Sequence, residues 1–85
     1  MIKKKEIEKF LIDYLVTKEG KGVKKLLDKE HLLDSGIIDS LDLVTLSIEV
    51  EKKFKLKINP NSEITLKSFE YFKSAVDYIY HIKSN

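Results

Sequence analysis

Apolar residues recur every three or four positions in three stretches of this chain, and the intervals between those stretches break the rhythm. Ile7, Phe10, Leu11, Tyr14 and Leu15 follow an i, i+3, i+4 spacing with Lys and Glu between them. That spacing predicts a first helix from about Lys4 to Thr17. Gly20 and Gly22 end the pattern, and Lys18 to Ser35 is a long connection for so short a chain. Two leucine pairs, Leu26-Leu27 and Leu32-Leu33, are expected to pin this connection to the core, with a turn of helix around Val23 to Leu27.

A second helix is predicted from Ser40 to Phe54. At 100° per residue, Leu43, Leu46, Val50 and Phe54 form one tight stripe, assigned to the core. Leu41, Val44 and Ile48 form a second stripe about a third of a turn away. Either this central helix buries more than one face, or the second stripe is an apolar surface patch. Lys55-Leu56-Lys57-Ile58 then alternates, as a strand would, but no other segment offers a partner strand. An extended connection that plugs Leu56 and Ile58 into the core is the expectation. Pro60 to about Leu66 predicts a short helix with Ile64 and Leu66 facing inward. Glu70 to Lys83 predicts a last helix with Phe72, Ala75, Val76 and Ile79 on one face and Phe69 just ahead of it. The predicted fold class is all-α: a small antiparallel bundle of three longer helices plus a short one, with a long first loop.

Eighty-five residues allow one domain, spanning 1–85, with a single modest core. A chain of 42% hydrophobic and 35% charged residues fits a charge-rich globular domain, and no apolar run nears the roughly 20 residues needed to span a bilayer. The start Met1-Ile2-Lys3-Lys4-Lys5-Glu6 leads into a charged amphipathic helix, so no secretory signal is expected and cytoplasm is the simplest location. Without cysteine there is no disulfide, no thiolate nucleophile and no thiolate-bound zinc. The net charge of +2 conceals a polarity: residues 1–30 carry nine Lys against six acids, residues 31–54 two against five, and residues 55–85 five against three. Every cation is Lys, which removes bidentate guanidinium recognition of bases or phosphates.

Candidate chemistry gathers at Gly36-Ile37-Ile38-Asp39-Ser40-Leu41-Asp42-Leu43. Ser40 places a hydroxyl where a helix begins, and unbonded amides and the helix dipole there favour an attached anion such as a phosphate. Asp39 is suited to cap that helix. His31 and His81 are the only imidazoles, no Gly-x-Ser-x-Gly elbow is present, and no carboxylate spacing suits a metal, so no catalytic residue and no metal ligand is assigned. The tyrosines Tyr71, Tyr78 and Tyr80 read as core plus an amphipathic margin, and Lys3-Lys4-Lys5 as a solvated helix start.

With Asp39-Ser40-Leu41 opening a helix, Gly36 shortly before it, Leu32-Leu33-Asp34-Ser35 leading in, the stripe from Leu43 to Phe54, Ile58-Asn59-Pro60, Glu63 to Phe69 and Phe72 to Ile79 after it, the whole chain resembles the acyl carrier protein family. The resemblance implies that Ser40 carries a 4′-phosphopantetheine arm taken from coenzyme A, with Asp39 as the preceding acid that positions the loop or assists the transferase's Mg²⁺. It implies that Leu41, Asp42, Val44, Ile48 and Glu51 meet partner enzymes. Those partners would be a phosphopantetheinyl transferase and AMP-forming acyl or aminoacyl ligases or synthases, in fatty-acid, polyketide or nonribosomal peptide biosynthesis. The two residues between Gly36 and Asp39 look like the pattern of stand-alone D-alanyl and aminoacyl carriers. Such a protein is a non-catalytic, monomeric carrier of thioesters. The reading from a different class is a small helical nucleic-acid-binding module, suggested by the basic ends; the absence of Arg and the acids Asp42, Glu49 and Glu51 on the second helix oppose it.

Overall fold

The computed structural model describes residues 3–29 and 31–84, without the side chains of Lys83 and Ser84; the chain start at Met1-Ile2 lies outside the described residues. Helix α1 (Lys4–Glu19) buries Ile7, Leu11 and Leu15 along one line. It runs two residues past the expected Thr17, because Lys18 and Glu19 are good helix formers, and stops where Gly20 takes φ +93° and bonds its amide to the Val16 carbonyl at 2.7 Å. A 3₁₀ turn over Lys21–Lys25 follows. Val23 and Leu27 reach the core from this region, whereas Leu26 stays exposed, so one member of that leucine pair anchors the loop. Leu32 is buried and Leu33 only partly so.

Helix α2 (Ser40–Phe54) has the predicted bounds, and Leu43, Leu46, Val50 and Phe54 are all buried. It ends at Lys55, which adopts the left-handed conformation at φ +55°. The segment after it is extended, with Ile58 buried, Leu56 half-buried and no strand among the described residues. Helix α3 (Glu63–Ser68) begins later than expected. Ile64 and Leu66 do not face inward: they are 67% and 38% exposed, and Thr65 is the buried residue. The Ser62 hydroxyl accepts the Thr65 amide at 3.2 Å and so fixes the register, which turns Thr65 and Phe69, four residues apart, to the core. Positions 64 and 66 alternate like a strand and cannot share one helix face. The Thr65 hydroxyl lies 3.0 Å from Ser62 Oγ and 2.7 Å from Tyr78 Oη, so this buried polar group is satisfied.

Helix α4 (Phe72–Ser84) starts two residues later than its pattern suggested. The Ser74 hydroxyl donates to the Ser68 and Tyr71 carbonyls at 2.6 and 2.9 Å, holding Phe69 to Tyr71 as a corner. Phe72, Ala75, Val76 and Ile79 form its buried face. The fold is all-helical, with three longer helices and one short one. Lys18 meets Asp42 while Phe10 packs its ring against Phe54, so α1 and α2 run antiparallel. The Lys4–Asp77 ion pair of 2.9 Å, with Glu8 and Ile12 beside Phe72 and Lys73, makes α1 antiparallel to α4 as well. A Cα radius of gyration of 11.7 Å matches the roughly 12 Å expected of one packed domain of this length. No described helix is long and apolar enough to cross a membrane.

Candidate functional site

The site is the junction where the long loop becomes α2. Its approach is fastened from several sides. The Leu32 amide donates to the Glu70 carbonyl at 2.6 Å, the Ile38 amide to the Leu32 carbonyl at 3.0 Å, and the Ile37 amide to Ser35 Oγ at 3.4 Å. Gly36 takes φ +84°, a conformation that side chains other than glycine resist. Ile37 and Ile38 are both buried. The two residues that separate glycine from aspartate are therefore anchors, and they hold Asp39 and Ser40 up at the surface.

Asp39 caps α2 as expected. Its carboxylate accepts the Asp42 amide at 2.8 Å, and the Asp42 carboxylate returns the bond to the Asp39 amide at 3.0 Å, completing a capping box. Ser40, the first residue of α2, is exposed. The first intrahelical bond is the Leu43 amide to the Asp39 carbonyl, and the Asp42 amide is taken by the cap. The amides of Ser40 and Leu41 are the ones left at the positive end of the helix, next to the serine hydroxyl.

One participant escaped the sequence reading. Lys18, at the end of α1, donates to the Ile37 carbonyl at 3.0 Å and to the Asp42 carboxylate at 3.2 Å. A single ammonium thus ties the α1 end, the loop and the α2 start together. Burial would lower its pKa, but bonds to Asp42 and Glu19 outweigh burial and hold it above the ordinary lysine value. Burial pushes the Asp42 carboxyl up, while the Asp39 amide and the Lys18 ammonium together hold it below the ordinary carboxylate range. No local motif could have revealed Lys18, since it acts on residues 19 and 24 positions away.

The residues expected to meet partners divide into two groups. Leu41, Val44 and Ile48 are 77%, 38% and 44% exposed, so the second stripe of α2 is a surface patch beside Ser40 rather than a second core face. Asp42 and Glu51 are engaged within the chain. Asp42 serves the cap and Lys18; Glu51 accepts the Ile58 amide at 2.8 Å and holds the extended segment against α2. Among the described residues, no cluster of three or more His, Cys, Asp or Glu is arranged to hold a metal ion. His31 lies in the loop, with its Nδ1 accepting the Asp34 amide at 3.0 Å, and His81 is exposed on α4. Comparison with protein-family models, with curated proteins and with solved structures finds no match to this chain.

Proposed function

We propose that this protein is a carrier that holds acyl or aminoacyl groups as thioesters on a 4′-phosphopantetheine arm esterified to Ser40. The observation that carries the proposal is the combination at one point of an exposed primary hydroxyl, two helix amides outside the intrahelical ladder and an adjacent apolar patch. The residues present suit that group. A phosphodiester on Ser40 Oγ meets the positive end of the α2 dipole, worth about 0.3–1 kcal/mol when exposed. The nearby acids do not forbid it, because Asp39 is turned to the Asp42 amide and Asp42 is balanced by Lys18.

In the attachment step, the Ser40 oxygen bonds to the phosphorus that links pantetheine to the adenosine bisphosphate of coenzyme A. The bond to that nucleotide breaks, the bisphosphate leaves, and the serine proton passes to a base of the transferase. In this reading the base belongs to the transferase; His31 lies against Asp34, Glu70 and Tyr71, and His81 beside Tyr80. The arm, when bound, contributes a terminal thiol, and every other element of the chemistry belongs to partner enzymes. The chain's part is to present Ser40 on a braced helix start, to offer Leu41, Val44 and Ile48 as a small contact patch, and to keep those contacts weak enough for exchange between enzymes. The pattern Gly36-Ile37-Ile38-Asp39-Ser40 resembles that of stand-alone D-alanyl and aminoacyl carriers, and it is this resemblance that suggests aminoacyl or D-alanyl cargo delivered by an AMP-forming ligase.

Incubation with a fluorescent coenzyme A and a broad-specificity phosphopantetheinyl transferase tests the proposal. The native chain is expected to take up one label, and Ser40→Ala to take up none while keeping its helical circular dichroism. Equal labelling of the two proteins contradicts the proposal.

A further inference from the structure

His31, which the carrier reading leaves without a part, stands where the long loop meets the corner between α3 and α4, with its side chain 22% exposed. Its Nδ1 accepts the Asp34 amide at 3.0 Å, which assigns the proton of the neutral ring to Nε2. Nε2 faces two carboxylates, Asp34 Oδ2 at 3.7 Å and Glu70 Oε1 at 3.9 Å, both beyond hydrogen-bond length. Tyr71 stands edge-on to the ring, with centroids 5.1 Å apart. Asp34 of the loop and Glu70 and Tyr71 of the corner are thus the titratable groups set against this imidazole among the described residues. Glu30, its neighbour in sequence, lies outside them. The backbone ties the same point to the serine platform. The His31 carbonyl accepts the Ser35 amide at 2.9 Å, and the Leu32 amide donates to the Glu70 carbonyl at 2.6 Å. The Leu32 carbonyl accepts the Ile38 amide at 3.0 Å, two residues before Ser40.

We infer that His31 is a proton-operated clasp between the loop and the α3–α4 corner, and that its two settings are felt at the start of α2. A proton from solvent adds to the Nδ1 lone pair, an N–H bond forms and the ring becomes a cation. The new N–H and the Asp34 amide then face each other as two donors, and their hydrogen bond is lost. The ring turns away from that amide and is drawn to the carboxylates. A shift of about 1 Å turns the Nε2–Glu70 approach into a charge-assisted hydrogen bond. The neutral ring therefore fastens the turn from His31 to Asp34, and the cationic ring fastens the loop to the corner. Because Leu32 bonds to Glu70 on one side and Ile38 on the other, a change in that peptide is passed to the residues that carry Ser40. Histidine is the side chain whose charge ordinarily changes between about pH 5 and 8. The clasp needs no arm on Ser40, so it stands or falls apart from the carrier reading.

The test is an NMR titration of the ¹⁵N-labelled full chain from about pH 8 down to about pH 5. The His31 Cε1 proton supplies the midpoint of the ring. With that midpoint the Asp34 amide proton is expected to move upfield as its hydrogen bond is lost, and the Leu32, Ile38 and Ser40 amides to shift as well. In His31→Asn, which keeps an acceptor near the Nδ1 position and takes up no proton, the Asp34 amide is expected to stay bonded and the shifts with this midpoint to vanish. An Asp34 amide that stays in place while the ring titrates overturns the inference, and so do unmoved Ile38 and Ser40 amides. The same midpoint surviving in His31→Asn also overturns it, since the shifts would then belong to a carboxylate or to His81. Should the variant fail to fold, the ring ¹⁵N shifts of the native chain decide. Above the midpoint they are expected to report a proton on Nε2 alone, and a proton on Nδ1 overturns the inference.

Discussion

Asp42 shows how much one carboxylate can settle: it closes the capping box on the Asp39 amide and receives Lys18 from another helix. Its pKa is held down in the folded chain, so its contribution to stability is full above the unfolded value of about 4 and is lost as pH falls through the folded value. The Lys18 pKa is raised, so the same contact is full below about pH 10.4 and lost as pH climbs through the folded value. Amide exchange at Ile38, Asp39 and Asp42, whose amides are hydrogen-bonded in the fold, is therefore expected to accelerate below about pH 4, beyond its intrinsic dependence, and Lys18→Met is expected to reduce that excess, leaving the share due to the Asp39 amide. An excess unchanged in Lys18→Met would show that the latch does not hold the junction. Ser47 makes the opposite case. Its hydroxyl is buried in α2 without a hydrogen-bond partner among the described residues. Ser47→Ala removes an unsatisfied group and raises helix propensity, so urea unfolding is expected to show a gain of about 0.5–1.5 kcal/mol. A loss of stability would mean that the hydroxyl is satisfied.

At the scale of the element, α2 was legible from end to end because its signals agree. Asp39 caps it, the stripe from Leu43 to Phe54 has the helical period, and nothing breaks the run. The two stripes make a paired prediction. Leu43→Ala opens a cavity in the core and is expected to cost about 2–5 kcal/mol, whereas Ile48→Ala at the surface is expected to cost about 0.5 kcal/mol or less. Chemical denaturation of both variants checks the assignment, and comparable losses would put Ile48 inside. Helix α3 was legible only in outline. Its six residues span less than two turns, too few to show a period, and the Ser62 cap with the Thr65–Tyr78 contact sets its register across thirteen residues of sequence. A buried threonine between two exposed aliphatics runs against side-chain hydrophobicity, and the hydroxyl network is what makes it stable. The late start of α4 has the same origin, since Ser74 bonds back to Ser68 and Tyr71 and holds the corner out of the helix.

Across the whole molecule, the sequence spoke clearly where local pattern and core burial coincide and poorly where charges pair over distance. The apolar stripes of α1, α2 and α4 are buried as their spacing requires. Charge counts could not say which acids remain for a partner: Asp42 and Glu51 are spent on the chain's own backbone and on Lys18, while Glu49 and Asp13 line an open trough. The same fastening makes the end of the long loop a braced platform for the start of α2, with Ile37 and Ile38 buried and Ser40 exposed. The central claim is that this platform presents one particular oxygen for esterification. Fragment-ion mass spectrometry of the chain after treatment with coenzyme A and a phosphopantetheinyl transferase tests it most directly, since serines also stand at positions 35, 47, 62, 68, 74 and 84. The account predicts a single phosphopantetheine located on Ser40. An unmodified chain, or an adduct on any other serine, would contradict it.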